Sequence, residues 1–315
     1  MKNLNKTKIT FCPGPGAVIP EWFNTQKEYF GRGDKEYQIL KKKTLSWLRK
    51  KSGQDHVIAV PGAATTAAII ALNSFIEGNV LVINTGYYSK RWFDYLIKTK
   101  IAKKTDFVSY ENFLKDKIFK HYKFIIFVYV ETASCTKFDI KKVKKKCKKI
   151  KANLMVDATA SIGLESNHNL ADVVFFSSCK GLFGPTGLGF IGYKKFLKIN
   201  RSKDFLFDYK THKESKYTLG YNCMAALYSI SKKHNFYKKK ILFAKNYLKR
   251  HLINKHGPLI GSGLNLVLKN KNLKNTIFYI PRKNPGYDLI FYLGLIKLSN
   301  SEIKKILINR LIKNS

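Results

Sequence analysis

The sequence predicts an α/β fold in which helices cover both faces of a mostly parallel sheet. Short apolar runs alternate with helical stretches up to about residue 200, which is typical of strands joined by crossover helices. Some runs, such as residues 124–130 (FIIFVYV), are apolar at every position, as expected of strands buried on both faces. After about residue 200 the pattern changes to helices and less distinct strands. We therefore predict a large domain over residues 15–205 and a smaller C-terminal domain over residues 206–315, which the N-terminal segment 1–14 joins.

The predicted elements follow one another in a regular order. Residues 56–60 (HVIAV) form the first strand, and an alanine-rich helix follows at residues 66–75, where Thr65 or Thr66 can act as the cap. Further strands are predicted at residues 80–83, 107–108, 124–130, 154–156, 173–176 and 189–193. The helices between them are predicted at residues 89–100, 112–119 and 140–150.

The chain carries a formal net charge of +39, from 59 basic and 20 acidic residues. Only seven of the basic residues are arginine, and the lysines spread over the outer faces of the predicted helices. A surface that recognises phosphates uses arginine and concentrates its charge. We therefore interpret the charge as a compositional habit and expect no nucleic-acid partner, while steering of anionic ligands stays open.

The five cysteines form no C-x-x-C pair, and no histidine lies at metal-ligand spacing from them. We therefore expect reduced thiols, a cytoplasmic location and no metal site. The longest purely apolar run has seven residues, against roughly 20 for a membrane helix. The N-terminal residues lack an apolar signal core, so we expect neither a membrane span nor a secretory signal.

Candidate ligand contacts come directly after the predicted strands. In an open parallel sheet, ligands bind outside the carboxyl ends of the strands. Five strands lead into segments with small, aromatic or reactive residues: 61–66 (PGAATT), 85–92 (TGYYSKRW), 131–134 (ETAS), 157–161 (DATAS) and 179–190 (CKGLFGPTGLGF). Because these strand ends share one edge of the sheet, we treat the five segments as one candidate site.

The first two segments suit a phosphate and a planar ring. Ala63 and Ala64 are small enough for backbone N–H groups to approach an anion at a helix N-terminus, and Thr65 adds a hydroxyl. Tyr88 can stack on a planar ligand. A plain N-capped helix and local aromatic packing are the structural alternatives.

The other three segments supply hydroxyl, acidic and amine groups. Thr132 follows Glu131 after a buried strand, and the Asp157 carboxylate needs a partner if it is partly buried. Capping or a turn would also explain these residues. Lys180 follows a buried strand and precedes a glycine-rich loop, far from the solvated helix faces. Together the segments indicate a planar, anionic ligand with a basic ring nitrogen and an electrophilic carbon, which fits pyridoxal phosphate.

With these motifs in this order, the chain resembles the class V aminotransferases of the fold-type-one pyridoxal-phosphate superfamily, over roughly residues 11–235. The likeness is greatest to 2-aminoethylphosphonate–pyruvate, alanine–glyoxylate and serine–pyruvate aminotransferases. It is carried by residues 12–15 (CPGP), 62–65 (GAAT), 86–92 (GYYSKRW), 131–132 (ET), 156–161 (VDATAS), 177–187 (SSCKGLFGPTG) and 217–218 (YT).

The resemblance implies a role for each candidate residue. Lys180 forms a Schiff base with the cofactor and moves the substrate proton, and Asp157 pairs with the ring nitrogen. The implied cofactor contacts are Ala63, Ala64, Thr65, Tyr88, Thr132, Asp157, Ser177, Lys180 and Thr218. Thr218 reaches the phosphate of a neighbouring subunit, which implies a homodimer. The implied reaction moves an amino group from a small amino acid, or an amine like 2-aminoethylphosphonate, to a 2-oxo acid such as pyruvate or glyoxylate.

The chain also departs from the family pattern. Tyr292 stands where the family has an arginine that clamps the substrate carboxylate, and the nearest arginine is Arg282, so Tyr292 and Arg282 are the candidate substrate contacts. This change removes a charge-assisted pair worth about 1.5–3 kcal/mol, so another cation binds the carboxylate or the substrate is unusual. Cys179 replaces a frequent Gln or Asn, and the C-terminal domain is shorter than usual. A cysteine desulfurase or lyase on the same scaffold, and a non-catalytic binding relative, stay open as alternatives.

Overall fold

Strands and helices alternate along most of the chain. The computed structural model describes residues 8–23, 31, 33–115, 121–200, 202, 204–214, 217–251, 263–266, 272–279 and 288–314. Its strands are β1 Ile9–Phe11, β2 His56–Gly62, β3 Asn79–Asn84, β4 Lys104–Ser109, β5 Phe124–Val128, β6 Val130–Glu131, β7 Thr136–Lys137, β8 Asn153–Asp157, β9 Val173–Ser177, β10 Gly187–Tyr193, β11 Gly263–Leu266, β12 Thr276–Phe278 and β13 Asp288–Phe291. Its α-helices are α1 Lys35–Ser52, α2 Ala64–Phe75, α3 Tyr87–Thr99, α4 Tyr110–Lys115, α5 Ile140–Lys149, α6 Tyr209–Lys213, α7 Tyr221–His251 and α8 Asn300–Arg310.

Seven strands form the central sheet, in the order β2-β10-β9-β8-β5-β3-β4. Neighbours from β9 to β4 are parallel, and β10 is antiparallel to both β2 and β9. Each of the seven predicted strands overlaps one strand of this sheet. The predicted α/β class with a mostly parallel sheet is confirmed.

The apolar run at residues 124–130 is not one strand. β5 ends at Val128, and Val130–Glu131 instead forms a two-stranded antiparallel ribbon with Thr136–Lys137. The prediction of a single strand is wrong because an apolar run reports burial, and these residues stay buried where the backbone leaves the sheet. The break places Glu131 and the turn after it beside the carboxyl end of the sheet.

Side chains of the central strands alternate between two cores. In β5, Ile125 and Phe127 face the core that α5 covers, whereas Ile126 and Val128 face the core that α2 covers. Burial on both faces requires apolar residues at every position, which explains the continuous apolar runs in the sequence. Helices therefore cover both faces of the sheet, as predicted.

A further core joins the N-terminal strand to elements near the C-terminus. β1 pairs in parallel with β12, and the Phe11 ring stacks on Phe278 with 5.4 Å between centroids. Phe11 also shares its buried cluster with residues of α7 and α8. These contacts bring the start of the chain against the elements that follow the central sheet.

Among the described helices, α7 is the longest, with 31 residues. Lysines interrupt its apolar positions throughout. Neither this helix nor any other in the described ranges combines the length and apolarity needed to cross a bilayer.

Candidate active site

A cavity of about 190 Å³ lies at the carboxyl ends of β5, β8 and β9. Since a single buried water needs roughly 10–15 Å³, the cavity has room for a small ligand. Its lining residues are Ala63, Ala64, Thr65, Tyr88, Arg91, Trp92, Val128, Val130, Thr132, Asp157, Thr159, Ala160, Ser177, Cys179 and Lys180. The site thus lies at the edge of the sheet that the parallel topology predicts.

Eight of the nine cofactor contacts implied by the sequence line this cavity. They are Ala63, Ala64, Thr65, Tyr88, Thr132, Asp157, Ser177 and Lys180. The ninth, Thr218, is exposed and lies outside the cavity lining. Side chains from five separate segments of the sequence therefore meet in one place.

The cavity also contains residues to which the sequence reasoning gave no role. Arg91 and Trp92 belong to the start of α3, and Thr159 and Ala160 belong to the turn after β8. Arg91 and Trp92 lie three and four positions after Tyr88, the spacing that places side chains on one helix face. This periodicity is the signal in the sequence by which both could be found.

The N-terminus of α2 forms one wall of the cavity. Its cap is Ala63, and neither Thr65 nor Thr66 acts as the cap, so the predicted threonine cap is wrong. Because no side chain of the described residues caps the helix, its first N–H groups remain available to an anion. Gly62 permits the tight turn, since its φ is +104° and a Cβ there would lie 2.5 Å from Thr66 Oγ1.

Asp157 places a buried carboxylate in the cavity wall. It ends β8 and is only 5% exposed. Its Oδ2 accepts a hydrogen bond from Trp92 Nε1 at 2.9 Å, and its Oδ1 accepts one from the Thr159 backbone N–H at 2.9 Å. Burial raises the pKa of the Asp157 carboxyl, since the charged form loses its hydration. A cationic group on a ligand would stabilise the ionised form.

Lys180 lies opposite an aromatic ring in the same cavity. Its Nζ is 5.8 Å from the centroid of the Tyr88 ring, within the range of cation–π attraction. The N-terminal segment packs against this lysine at Gly14, whose φ is +128°. A Cβ at Gly14 would lie 2.9 Å from both the Cys179 carbonyl oxygen and Lys180 Cγ. Only glycine therefore fits at this position of the Pro-Gly-Pro segment.

Glu131 is fully buried next to the cavity, although it does not line it. Its Oε2 accepts a hydrogen bond from the Tyr88 backbone N–H at 2.9 Å, and its Oε1 accepts one from the Ala133 N–H at 2.8 Å. Burial raises the pKa of the Glu131 carboxyl to about 7, nearby Asp157 adds to this effect, and Lys180 opposes it. The site therefore contains two carboxyl groups whose pKa values burial raises.

The stability of the ligand-free Glu131→Gln variant relative to the wild type should increase as the pH rises from about 5 to about 8. Glu131 has an ordinary pKa of 4.5 when unfolded and about 7 when folded. Between these values the folded state binds more protons, so its stability falls with rising pH, by about 2–3 kcal/mol over this range. Glutamine carries no such proton. Denaturant unfolding of both proteins at the two pH values measures the change, and a pH-independent stability difference would contradict the raised pKa.

Of the two candidate substrate residues, Tyr292 does not line the cavity. Tyr292 is fully buried, and its hydroxyl has no hydrogen-bond partner among the described residues. Burial raises the pKa of this phenol well above its usual value. Arg282 lies outside the described residues. Within the described ranges, the His, Cys, Asp and Glu side chains form no group that could hold a metal ion.

Comparison with protein families identifies the class to which this fold and cavity belong. The family model for aminotransferase class-V matches residues 36–217, which is more than half of the chain. The chain belongs to the class V aminotransferases. It is therefore a pyridoxal-phosphate-dependent aminotransferase with pyridoxal 5′-phosphate as its cofactor, which confirms the class and the cofactor predicted from the motifs.

Solved aminotransferase structures share the fold at low sequence identity. Pyridoxamine–pyruvate aminotransferase from Mesorhizobium loti has a TM-score of 0.79 at 14% identity, over 98% of this chain and 95% of that chain. Alanine–glyoxylate aminotransferase from Nostoc sp. has a TM-score of 0.78 at 15% identity, over 98% and 95% of the two chains. A subgroup IV aspartate aminotransferase from Thermus thermophilus has a TM-score of 0.77 at 15% identity, over 95% and 96%. No curated protein matches the chain in sequence.

Proposed function

We propose that this aminotransferase moves an amino group from a small amino acid, or an amine like 2-aminoethylphosphonate, to a 2-oxo acid such as pyruvate or glyoxylate. The observation that carries the proposal is that Lys180, Asp157 and Tyr88 meet the uncapped N-terminus of α2 in one cavity. They supply an amine, a carboxylate, a ring face and anion-binding N–H groups.

The lining residues fit the phosphate and the ring of the cofactor. Backbone N–H groups of residues 63–65, together with the Ser177 hydroxyl, would hold the phosphate at the positive end of the α2 dipole. Tyr88 would cover one face of the ring, and the Thr132 hydroxyl would reach its 3′ oxygen. Residues 63–65 are small, which leaves their backbone N–H groups accessible to the phosphate.

Asp157 and Lys180 carry the proton chemistry in this proposal. Asp157, buried and held by two donors, would keep a proton on the ring nitrogen. When bound, pyridoxal phosphate withdraws electrons from the substrate carbon that carries the amine, and this makes the proton on that carbon removable. The Lys180 Nζ would bind the cofactor's aldehyde carbon in the resting enzyme, and the incoming substrate amine would displace it from that carbon. The freed Nζ would then take the proton from the substrate α-carbon and deliver it to C4′ of the cofactor.

Arg91 is our candidate for the cation that binds the substrate carboxylate. Among the described residues that line the cavity, the cationic side chains are Arg91 and Lys180. Arg91 lies one turn after Tyr88 on α3, and its guanidinium carbon is 5.4 Å from the centroid of the Trp92 ring. In this proposal Arg91 takes over the role of the arginine whose place Tyr292 occupies.

Replacing Arg91 with methionine should lower kcat/KM for the oxo acid by about 10–100-fold, the loss expected for a charge-assisted hydrogen bond. The affinity for pyridoxal phosphate should change by less than about threefold. Lys90→Met is the matched control, because Lys90 is the adjacent cation on α3 but is exposed and paired with Asp94. Parallel losses of cofactor affinity and kcat/KM in the Arg91 variant would show that Arg91 serves the phosphate instead.

Absorbance spectra with single substrates test the proposed function. Alanine, serine, glutamate, cysteine and 2-aminoethylphosphonate are added one at a time to the cofactor-loaded protein. We expect one donor to abolish the visible band of the bound cofactor, and pyruvate or glyoxylate to restore it. Sulfide release from cysteine would favour the desulfurase alternative, and a protein that stays colourless with added cofactor would contradict the proposal.

Cys223 gives the desulfurase alternative little support. A desulfurase needs a thiol on a mobile segment that can reach the substrate. Cys223 lies in the first turn of α7, where its Sγ donates to the Thr186 carbonyl at 3.0 Å. Burial also raises the pKa of this thiol, which disfavours the nucleophilic thiolate.

A homodimer accounts for the position of Thr218. Its side chain is exposed and outside the cavity of its own chain, although it follows the family pattern for a phosphate contact. We infer that it completes the site of a second copy. The adjacent Tyr217 ring is fixed by stacking on His212, with 4.6 Å between centroids. A sedimentation experiment that found only monomers in the cofactor-loaded protein would contradict this.

A further inference from the structure

Glu131 connects two residues of the proposed cofactor site without touching the cavity. One carboxylate oxygen accepts the backbone N–H of Tyr88, and the other accepts the N–H of Ala133, the residue next to Thr132. Tyr88 is the second residue of α3, and Thr132 lies in the turn after β6. A single buried side chain therefore ties these two cavity walls together.

The first turn of α3 depends on this carboxylate. The N–H groups of Thr85 and Gly86 both donate to Ser89 Oγ, at 2.9 and 3.0 Å. The Tyr88 N–H has a different acceptor, the Glu131 carboxylate. The first turn of α3 contains no acidic residue of its own. Glu131 thus supplies, from another segment, a hydrogen-bond acceptor for this helix N-terminus, and its ionised form adds a stabilising negative charge there.

Close packing restricts where Glu131 can lie. Gly86 has a φ of +136°, and a Cβ at this position would lie 2.9 Å from Glu131 Cγ. The carboxylate is fully buried, so water cannot replace either of its hydrogen bonds. The arrangement is therefore rigid, and a change at Glu131 must be transmitted to Tyr88 or to the turn at Thr132.

We propose that Glu131 is a positioning residue, which holds the Tyr88 ring over the cofactor and the Thr132 hydroxyl at its edge. The inference rests on the proposed function, because it assumes that these two residues contact the cofactor. Asp157 and Lys180 also face Glu131, with opposite electrostatic effects on it. The ionised carboxylate accepts both N–H groups more strongly than a neutral group does.

The Glu131→Gln variant tests whether Glu131 positions the cofactor contacts or only stabilises the fold. The amide fills the same volume, but its NH₂ group must face one of the two N–H donors, so one hydrogen bond is lost. We expect the affinity of the apoprotein for pyridoxal phosphate to fall about tenfold or more. The circular dichroism of the bound cofactor in the visible range should also weaken, because the ring would no longer be held against Tyr88.

A double-mutant cycle with Tyr88→Ala shows whether Glu131 acts through Tyr88. In the Tyr88→Ala background, Glu131→Gln should reduce cofactor affinity by less than about threefold. If Glu131→Gln lowers cofactor affinity by the same factor in both backgrounds, Glu131 does not act through Tyr88 and the proposal is overturned. If the glutamine variant does not fold, Glu131→Asp is used in the same cycle, since it keeps the charge but is too short to reach both donors.

Asp172→Asn is the matched control. Asp172 is also a buried carboxylate that accepts a backbone N–H, from Leu154 at 2.7 Å, but it precedes β9 at the end of the sheet remote from the cavity. Its replacement should leave cofactor affinity and dichroism unchanged. A wild-type protein that binds no cofactor would overturn the proposed function and this inference together, whereas normal binding by both the wild type and Glu131→Gln would overturn only this inference.

Discussion

Lys180→Ala should abolish most of the amino-group transfer while leaving a cofactor site that still binds. Lys180 is the amine that lines the cavity opposite Tyr88, and the other cation among the described lining residues, Arg91, stays protonated and cannot take up a proton. A positioned general acid–base group contributes about 10²–10⁴-fold, so we expect at least this loss in the rate of the half-reaction with the amine donor. The α2 N-terminus, Tyr88 and Asp157 remain in the variant, so pyridoxal phosphate should still bind without a covalent link.

Single-turnover absorbance of the cofactor-loaded variant measures this rate. Lys90→Ala is the control, since it removes a lysine that is next to Arg91 in α3 but exposed and outside the cavity lining, and whose ion pair with Asp94 at 2.6 Å contributes little in water. The control should react at the wild-type rate. Residual transfer in Lys180→Ala within about tenfold of the wild type would show that Lys180 is not the catalytic amine.

Asp157→Asn should lower the rate by about 10–10³-fold and weaken cofactor binding. An opposite charge near a titratable group shifts its pKa by about 1–3 units, which corresponds to about 1.4–4 kcal/mol here. Without the carboxylate, the ring nitrogen loses its proton and the substrate carbon is less acidic. The asparagine also turns an NH₂ group towards Trp92 Nε1 or the Thr159 N–H, so one of the two hydrogen bonds at 2.9 Å is lost.

Stability of the ligand-free protein distinguishes this catalytic role from a structural one. Burial raises the pKa of Asp157, so its ionised form destabilises the apoprotein increasingly as the pH rises above its ordinary value of 3.8. Asp157→Asn removes that charge and should unfold at the same or a higher denaturant concentration than the wild type at pH 8. Asp172→Asn, which disrupts the partly buried pair with Lys144 at 2.6 Å, should instead lose stability and keep its activity. Unchanged turnover in Asp157→Asn would mean that Asp157 has only a structural role.

Local patterns in the sequence predict most of the cavity because each lining segment follows a strand. The apolar runs identify the strands, the parallel topology places their carboxyl ends at one edge, and the residues after Val60, Val128 and Val156 are therefore brought together. The same reasoning overestimates β5, since burial continues through Val130 although the backbone has already left the sheet.

Contacts between distant segments were not predictable in this way. Glu131 is adjacent to Thr132 in sequence, but its hydrogen bond to Tyr88 spans 43 positions and depends on where β6 lies against α3. The approach of Gly14 to Lys180 depends likewise on the packing of the N-terminal segment. Tyr292 is a further example. The sequence makes it a candidate substrate contact, and only the tertiary structure shows that its side chain is completely buried.

The sequence by itself determined the α/β class, the order of the strands along the chain and the residues that follow them, because these depend on periodicity and on the chemistry of single positions. The tertiary structure decided which of those residues share the cavity. It also decided which carboxyl groups are buried, and thereby the direction of their pKa shifts at Asp157 and Glu131. Burial and hydrogen bonding are properties of the surroundings of a side chain, and the surroundings here come from strands and helices far apart in the chain.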